Sequence, residues 1–241
     1  MDSELTCLEI KKNYEDIFSR LLKAAEKSGR NPSDINIIPV SKTHASKVLE
    51  CAYKTGIKVF GENYVQEMAD KHEILNKKGF DDIQWHFIGH LQTNKVKYIA
   101  PFVNYIHSVD SFKLASEISK RATNLNRTIN IMLQVNTSGE PNKSGCDPDY
   151  LIDLAAESSE LSNINIEGLM TIGTFTDDEY IQRKEFSLLR EMLNDVNNQL
   201  DKNWSHLSMG MTGDFEVAID EGATMIRVGT AIFGSRIYVQ H

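Results

Sequence analysis

The chain has 241 residues, of which 41 % are hydrophobic, enough for a substantial core in one large domain or two small ones. Asp and Glu number 34 against 26 Lys and Arg, so the formal net charge is −8, which weighs against broad non-specific nucleic-acid binding, a function that needs a positive field. Three scattered cysteines, Cys7, Cys51 and Cys146, form no C-x-x-C pair and point to a reducing compartment without a disulfide framework; the start MDSELTCLEI lacks a secretory pattern and no stretch approaches ~18 apolar residues, so a soluble cytoplasmic protein off the membrane is expected.

The opening segment, residues 4–27 with its start at Glu4, places Ile10, Tyr14, Ile17 and Leu21 at spacings of four, three and four. That is a helical stripe, and Gly29, Asn31 and Pro32 stop it. Short apolar runs then alternate with segments able to form helices. The runs cover residues 35–40, 58–60, 84–88, 105–107, 129–135, 164–170, 206–208 and 225–228. The clearest helix, 178–200, sets Phe186, Leu189, Leu193, Val196 and Leu200 on one face, and the acidic stretch 177–179 lies at its positive end. Helices alternating with nearly continuous apolar runs predict a parallel sheet covered by helices. Eight such units predict an α/β fold, a closed (β/α)₈ or TIM barrel with an additional N-terminal helix, as a single domain over 1–241. An open doubly wound sheet of six or seven strands is the alternative, because the weak runs at 58–60 and 206–208 carry little signal.

In a barrel the chemistry gathers at the C-terminal strand ends. Lys42, in IIPVSKTHAS, ends the first run; Asn63, His90 and Asn136 follow the second, third and fifth; Ser208 and Arg227 end the seventh and eighth. A strand-end lysine can simply reach water, so the other rim residues decide its role. The loops after runs seven and eight hold Gly210 and Gly213, then Gly229 and Gly234, with Ser208 and Thr230 as hydroxyl donors. Such loops bind phosphate in many barrels, and they also serve as plain turns; spacing alone leaves both open. GTAIFG is not a G-x-G-x-x-G fingerprint, which disfavours a nicotinamide site. The first strand neighbours the eighth in a closed barrel. A lysine amine, a phosphate nest and Arg227 then compose an aldehyde-cofactor site, with Lys42 forming the imine. An arginine at the ring nitrogen keeps that nitrogen an acceptor and weakens the ring as an electron sink.

The motifs PVSKTHAS (39–46), FGENYVQE (60–67), WHFIGHLQTNK (85–95), VNTSGEPNKSG (135–145), GLMTI (168–172), LSMGMTGDFEVAI (207–219) and RVGTAIFG (227–234) together reach across nearly the whole chain. On these the sequence resembles the pyridoxal phosphate homeostasis protein family. The resemblance implies a single barrel like the N-terminal domain of bacterial alanine racemase. It implies pyridoxal 5'-phosphate (PLP) held as an imine on Lys42, with Asn63 near the ring, Arg227 at the pyridine nitrogen, and Ser208, Gly229 and Thr230 at the phosphate. It further implies a protein that buffers or delivers the cofactor without an established catalytic turnover. Transient contact with PLP-dependent apo-enzymes and a monomer or weak homodimer are the expected partners and state. His90 stands where the family usually has proline, and Thr93 where serine is common. Neither touches the lysine or phosphate motifs.

Other residues read more plainly. His86 and His90 lack the H-E-x-x-H pattern, and no metal site is expected. Glu62 and Glu67 read as helix-terminal or surface carboxylates, Lys95 and Lys143 as basic rim residues, Met209, Met211, Trp85 and Phe87 as packing, and Cys51 as an inert helical thiol. The competing functions are an amino-acid racemase or decarboxylase of the same fold, and a Schiff-base aldolase whose substrate carries the phosphate. A racemase needs acid and base groups on both faces of a carbon, and the barrel leaves no residues for a second closing domain.

Overall fold

The computed structural model describes residues 5–234. Helix α1, Cys7–Lys27, opens on Thr6, whose hydroxyl accepts the Glu9 N–H while the Glu9 carboxylate accepts the Thr6 N–H. This reciprocal cap sets the start; the expected start at Glu4 lies outside the described residues. Ile10, Ile17 and Leu21 are buried and Tyr14 is half-buried, so the stripe faces inward.

Eight strands follow: β1 Asn36–Pro39, β2 Val59–Glu62, β3 Gln84–Phe87, β4 Tyr105–Val109, β5 Ile129–Gln134, β6 Ile164–Met170, β7 His206–Ser208 and β8 Met225–Val228. The helices between and after them are α2 Ser46–Lys54, α3 Val65–Lys77, α4 Val96–Ile99, α5 Phe112–Asn124, α6 Leu151–Ser159, α7 Glu179–Leu200, α8 Phe215–Asp220 and α9 Thr230–Phe233. The strands pair in parallel in the order β1-β8-β7-β6-β5-β4-β3-β2. The circle closes just past β1, where Val40 bridges Gly61 and the Ser41 N–H donates to the Gly61 carbonyl at 3.0 Å. A closed barrel therefore replaces the open-sheet alternative, and the weak runs are its second and seventh strands.

Apolar side chains between strands and helices form the main core, with Trp85, Phe60, Phe87, Phe186 and Phe215 nearly or wholly inaccessible. The inside of the barrel holds a smaller apolar layer of Ile38, Met132, Met170 and Met225. Among the described residues no helix is long and apolar enough to cross a membrane.

One expectation fails here. Cys7 and Cys51 form a disulfide that ties α1 to α2, with Cα atoms 4.8 Å apart, so Cys51 is not an inert thiol and the chain is not free of disulfides. The partners are 44 residues apart and meet only because α1 packs along α2. Cys146 is free and buried, and burial pushes its thiol up to about 12.

Candidate functional site

A cavity of about 380 Å³ opens at the C-terminal ends of the strands. That lies within the ~300–1,000 Å³ usual for small-molecule sites. Lys42 and His44, from the loop after β1, form one wall, and Asn63, after β2, lies beside them. Arg227, Gly229 and Thr230 enter from β8 and the loop after it, and Met211, Thr212, Gly213 and Asp214 from the loop after β7. The β6–α7 loop supplies Ile172, Thr174 and Phe175 at the mouth, where Phe175 is 99 % exposed. Gly229 permits close approach to β1: a Cβ there would sit 3.2 Å from the Val40 carbonyl oxygen. Gly89 is more constrained, since a Cβ would fall 2.2 Å from the Asn63 carbonyl oxygen. Any side chain at 89 would displace the backbone that presents Asn63.

Arg227 is buried beneath the cavity. Its guanidinium donates to Ser208 Oγ and to the Thr171 carbonyl, each at 2.7 Å. Burial lowers its pKa to about 10, opposed by the Asp214 carboxylate, so it keeps its charge at neutral pH. Below it a polar column crosses the barrel interior. Ser208 Oγ lies 2.9 Å from His107 Nδ1, and His107 Nε2 lies 2.9 Å from His86 Nδ1. Arginine only donates, so Ser208 accepts from it and gives its own proton to His107. His107 then carries its proton on Nε2 and donates to His86 Nδ1, an assignment that gives each of these contacts one donor and one acceptor with both rings neutral. Burial depresses both histidines, His86 to about 3 and His107 well below the usual range, the latter with added repulsion from His86, Arg227 and His206.

A second polar cluster lies behind Lys42. Lys71 of α3 is only 4 % exposed and donates to the Ser41 carbonyl (2.7 Å), Glu62 Oε1 (2.6 Å) and Glu67 Oε1 (2.7 Å). Ser41 Oγ also donates to Glu62 Oε1, at 2.6 Å. Glu62 is fully buried, which corrects its reading as a terminal or surface carboxylate. Burial pushes its carboxyl up, against the ammonium of Lys71 and the hydrogen bonds from Lys71 and Ser41. Glu67 accepts the Thr43 N–H.

The structure thus brings Lys42, Asn63, Arg227, Gly229 and Thr230 to one cavity. Ser208 is placed differently: its hydroxyl is committed to Arg227 and His107 below, and it does not line the cavity. Asn136 turns into its own loop, donating to the Glu140 carbonyl, and His90 is an exposed side chain 3.9 Å from Asp110. Lys143 pairs with Glu140 at 2.5 Å. Reading the sequence missed Thr212, Asp214, His107 and Lys71. For Lys71 a signal existed: Glu67 and Lys71 are four apart on one helical face. Nothing in the residue types said that this face is buried.

The donor set suits an anionic, carbonyl-bearing ring. It combines a primary amine, a buried guanidinium, and glycines and hydroxyls at one end. Among the described residues Asn63 Oδ1 is buried and has no hydrogen-bond partner. Comparison with known proteins bears on this set. The family model described as alanine racemase, N-terminal domain, matches residues 15–237. The pyridoxal phosphate homeostasis protein of Aquifex aeolicus is 43 % identical over 92 % of this chain and 96 % of its own length. That of Pseudomonas aeruginosa is 41 % identical over 95 % and 96 %. The structure of PipY from Synechococcus elongatus, described with PLP bound, is 34 % identical, covering 90 % of this chain and 100 % of that one, with a TM-score of 0.79. This chain belongs to the pyridoxal phosphate homeostasis protein family, built on the alanine racemase N-terminal barrel.

Proposed function

We propose that the protein binds pyridoxal 5'-phosphate in the cavity between Lys42 and Arg227 and serves PLP homeostasis, holding the cofactor and releasing it to enzymes that need it. The observation that carries this reading is the convergence of Lys42, Asn63 and Arg227 on one cavity. When bound, PLP would supply an aldehyde able to condense with a primary amine, with loss of water. Lys42 would provide that amine and give up its proton to solvent. Asn63 and Arg227 would bind the ring, the guanidinium keeping the ring nitrogen an acceptor. Thr212, Gly213, Gly229 and Thr230, which line the same cavity, would hold the phosphate by hydroxyl and backbone N–H groups. Ser208 orients Arg227 from below. The relatives' names and the PLP-bound PipY structure support the assignment.

Holding fits the site better than turnover. A racemase or decarboxylase requires a closed, dry site with proton-transfer groups placed around a substrate carbon. Here the mouth is open and bordered by the fully exposed Phe175. Equilibrium titration of Lys42→Ala with PLP tests the division of labour. The variant should lose the covalent adduct and keep weaker, phosphate-driven binding. Complete loss of binding would overturn that division, and an undiminished adduct would overturn the role of Lys42.

A further inference from the structure

The two residues flanking Lys42 are tied to one buried ammonium. Ahead of it, the Ser41 carbonyl accepts from Lys71 Nζ at 2.7 Å. After it, the Thr43 N–H donates to Glu67 Oε1, and the same oxygen accepts from Lys71. Thr43 has φ +69°, the left-handed region that a β-branched residue rarely enters. Such a conformation persists only where surrounding groups hold it. Its N–H is held by Glu67, and Glu67 by Lys71. Neither Lys71 nor Glu67 lines the cavity. A buried ion cluster is weak evidence for stability, because apolar residues of similar volume usually serve as well. The geometry of this one is specific: it clamps the turn that carries Lys42 from the side away from the ligand.

We propose that Lys71 and Glu67 are positioning residues for Lys42, holding the 41–43 backbone so that the amine is presented to the cofactor aldehyde. The proposal rests on the reading of Lys42 as the capturing amine. Glu67→Ala is the informative variant. Removing Lys71 would strand the charge of the fully buried Glu62 and threaten the fold. The Glu67 side chain is 24 % exposed, and its loss leaves Lys71 paired with Glu62. The readout is the rate at which apo-protein mixed with PLP gains a covalent adduct at Lys42, followed by visible absorbance and by timed borohydride trapping with peptide mass spectrometry. Thermal unfolding is followed in parallel. Glu67→Ala should unfold cooperatively and capture PLP about tenfold more slowly, the scale of the left-handed penalty at Thr43. Adding Thr43→Gly should recover most of the rate, because glycine enters that region without a Cβ penalty. A merely structural role for Glu67 would not be rescued at residue 43. An unchanged rate in Glu67→Ala, no recovery in the double variant, or loss of cooperative unfolding in Glu67→Ala overturns the proposal. An unaltered protein that forms no adduct at Lys42 overturns instead the reading of the site beneath it.

Discussion

Arg227 carries a full charge into the barrel interior and meets two fixed acceptors there, Ser208 Oγ and the Thr171 carbonyl. Its removal exposes how much of the site it organises. Arg227→Gln should remain folded, with stability lowered by about 1–3 kcal/mol for the unsatisfied partners. It should shift the visible absorbance of bound PLP if, as proposed, Arg227 faces the ring, because that group then loses its charge. A spectrum identical to that of the unaltered protein, or non-cooperative unfolding, would contradict this. At this scale Lys42, Asn63, Arg227, Gly229 and Thr230 were legible in the sequence, because each lies at or just past the end of an apolar run. Ser208 lies at such an end too, yet its hydroxyl points into the polar column. A three-residue strand gives no alternation from which to read that direction. Glu62 was misread for a related reason. Its residue type says surface, and only the arrival of Lys71 from α3 makes its burial tolerable.

Helix α1 lies outside the barrel count and packs on α8, α9 and α2. Asn13 donates to the Ile232 carbonyl in α9, the short helix that follows Gly229. The Cys7–Cys51 bond fixes the start of α1 to α2 and closes a long stretch of chain. Reducing it, or Cys7→Ser, should lower unfolding stability by about 2–4 kcal/mol, chiefly by freeing the unfolded chain. Denaturant unfolding with and without reductant measures this, and coincident curves would contradict it. The strands were legible because a parallel sheet buried on both faces leaves apolar runs. Boundaries moved where polar residues are buried in a strand. The fourth run appeared to stop at His107, but β4 continues through the buried Ser108 and Val109. The disulfide was illegible because it depends on the docking of two elements.

The whole barrel was countable from eight alternations: β1 pairs with β8, and the bridge between Val40 and Gly61 joins the end of β1 to β2, as a closed count requires. The polar column inside it was not foreseen, and it makes stability depend on pH. His86 and His107 are neutral in the folded protein, while unfolded histidine titrates near ~6.5. As pH falls below ~6.5 the unfolded chain binds protons that the folded protein refuses. Stability is therefore full above that pH and is lost progressively toward about 3, where His86 titrates in the fold. Denaturant unfolding across that range should show a slope of up to ~1.4 kcal/mol per pH unit for each histidine. His86→Gln should flatten it, and an unchanged slope would contradict the assignment. The central claim is that a pyridoxal 5'-phosphate carrier is built around Lys42. Borohydride reduction of the cofactor-loaded protein, followed by peptide mass spectrometry, tests it most directly. The account predicts a phosphopyridoxyl group on Lys42; an unmodified Lys42 in protein that stays colourless after reconstitution would contradict it.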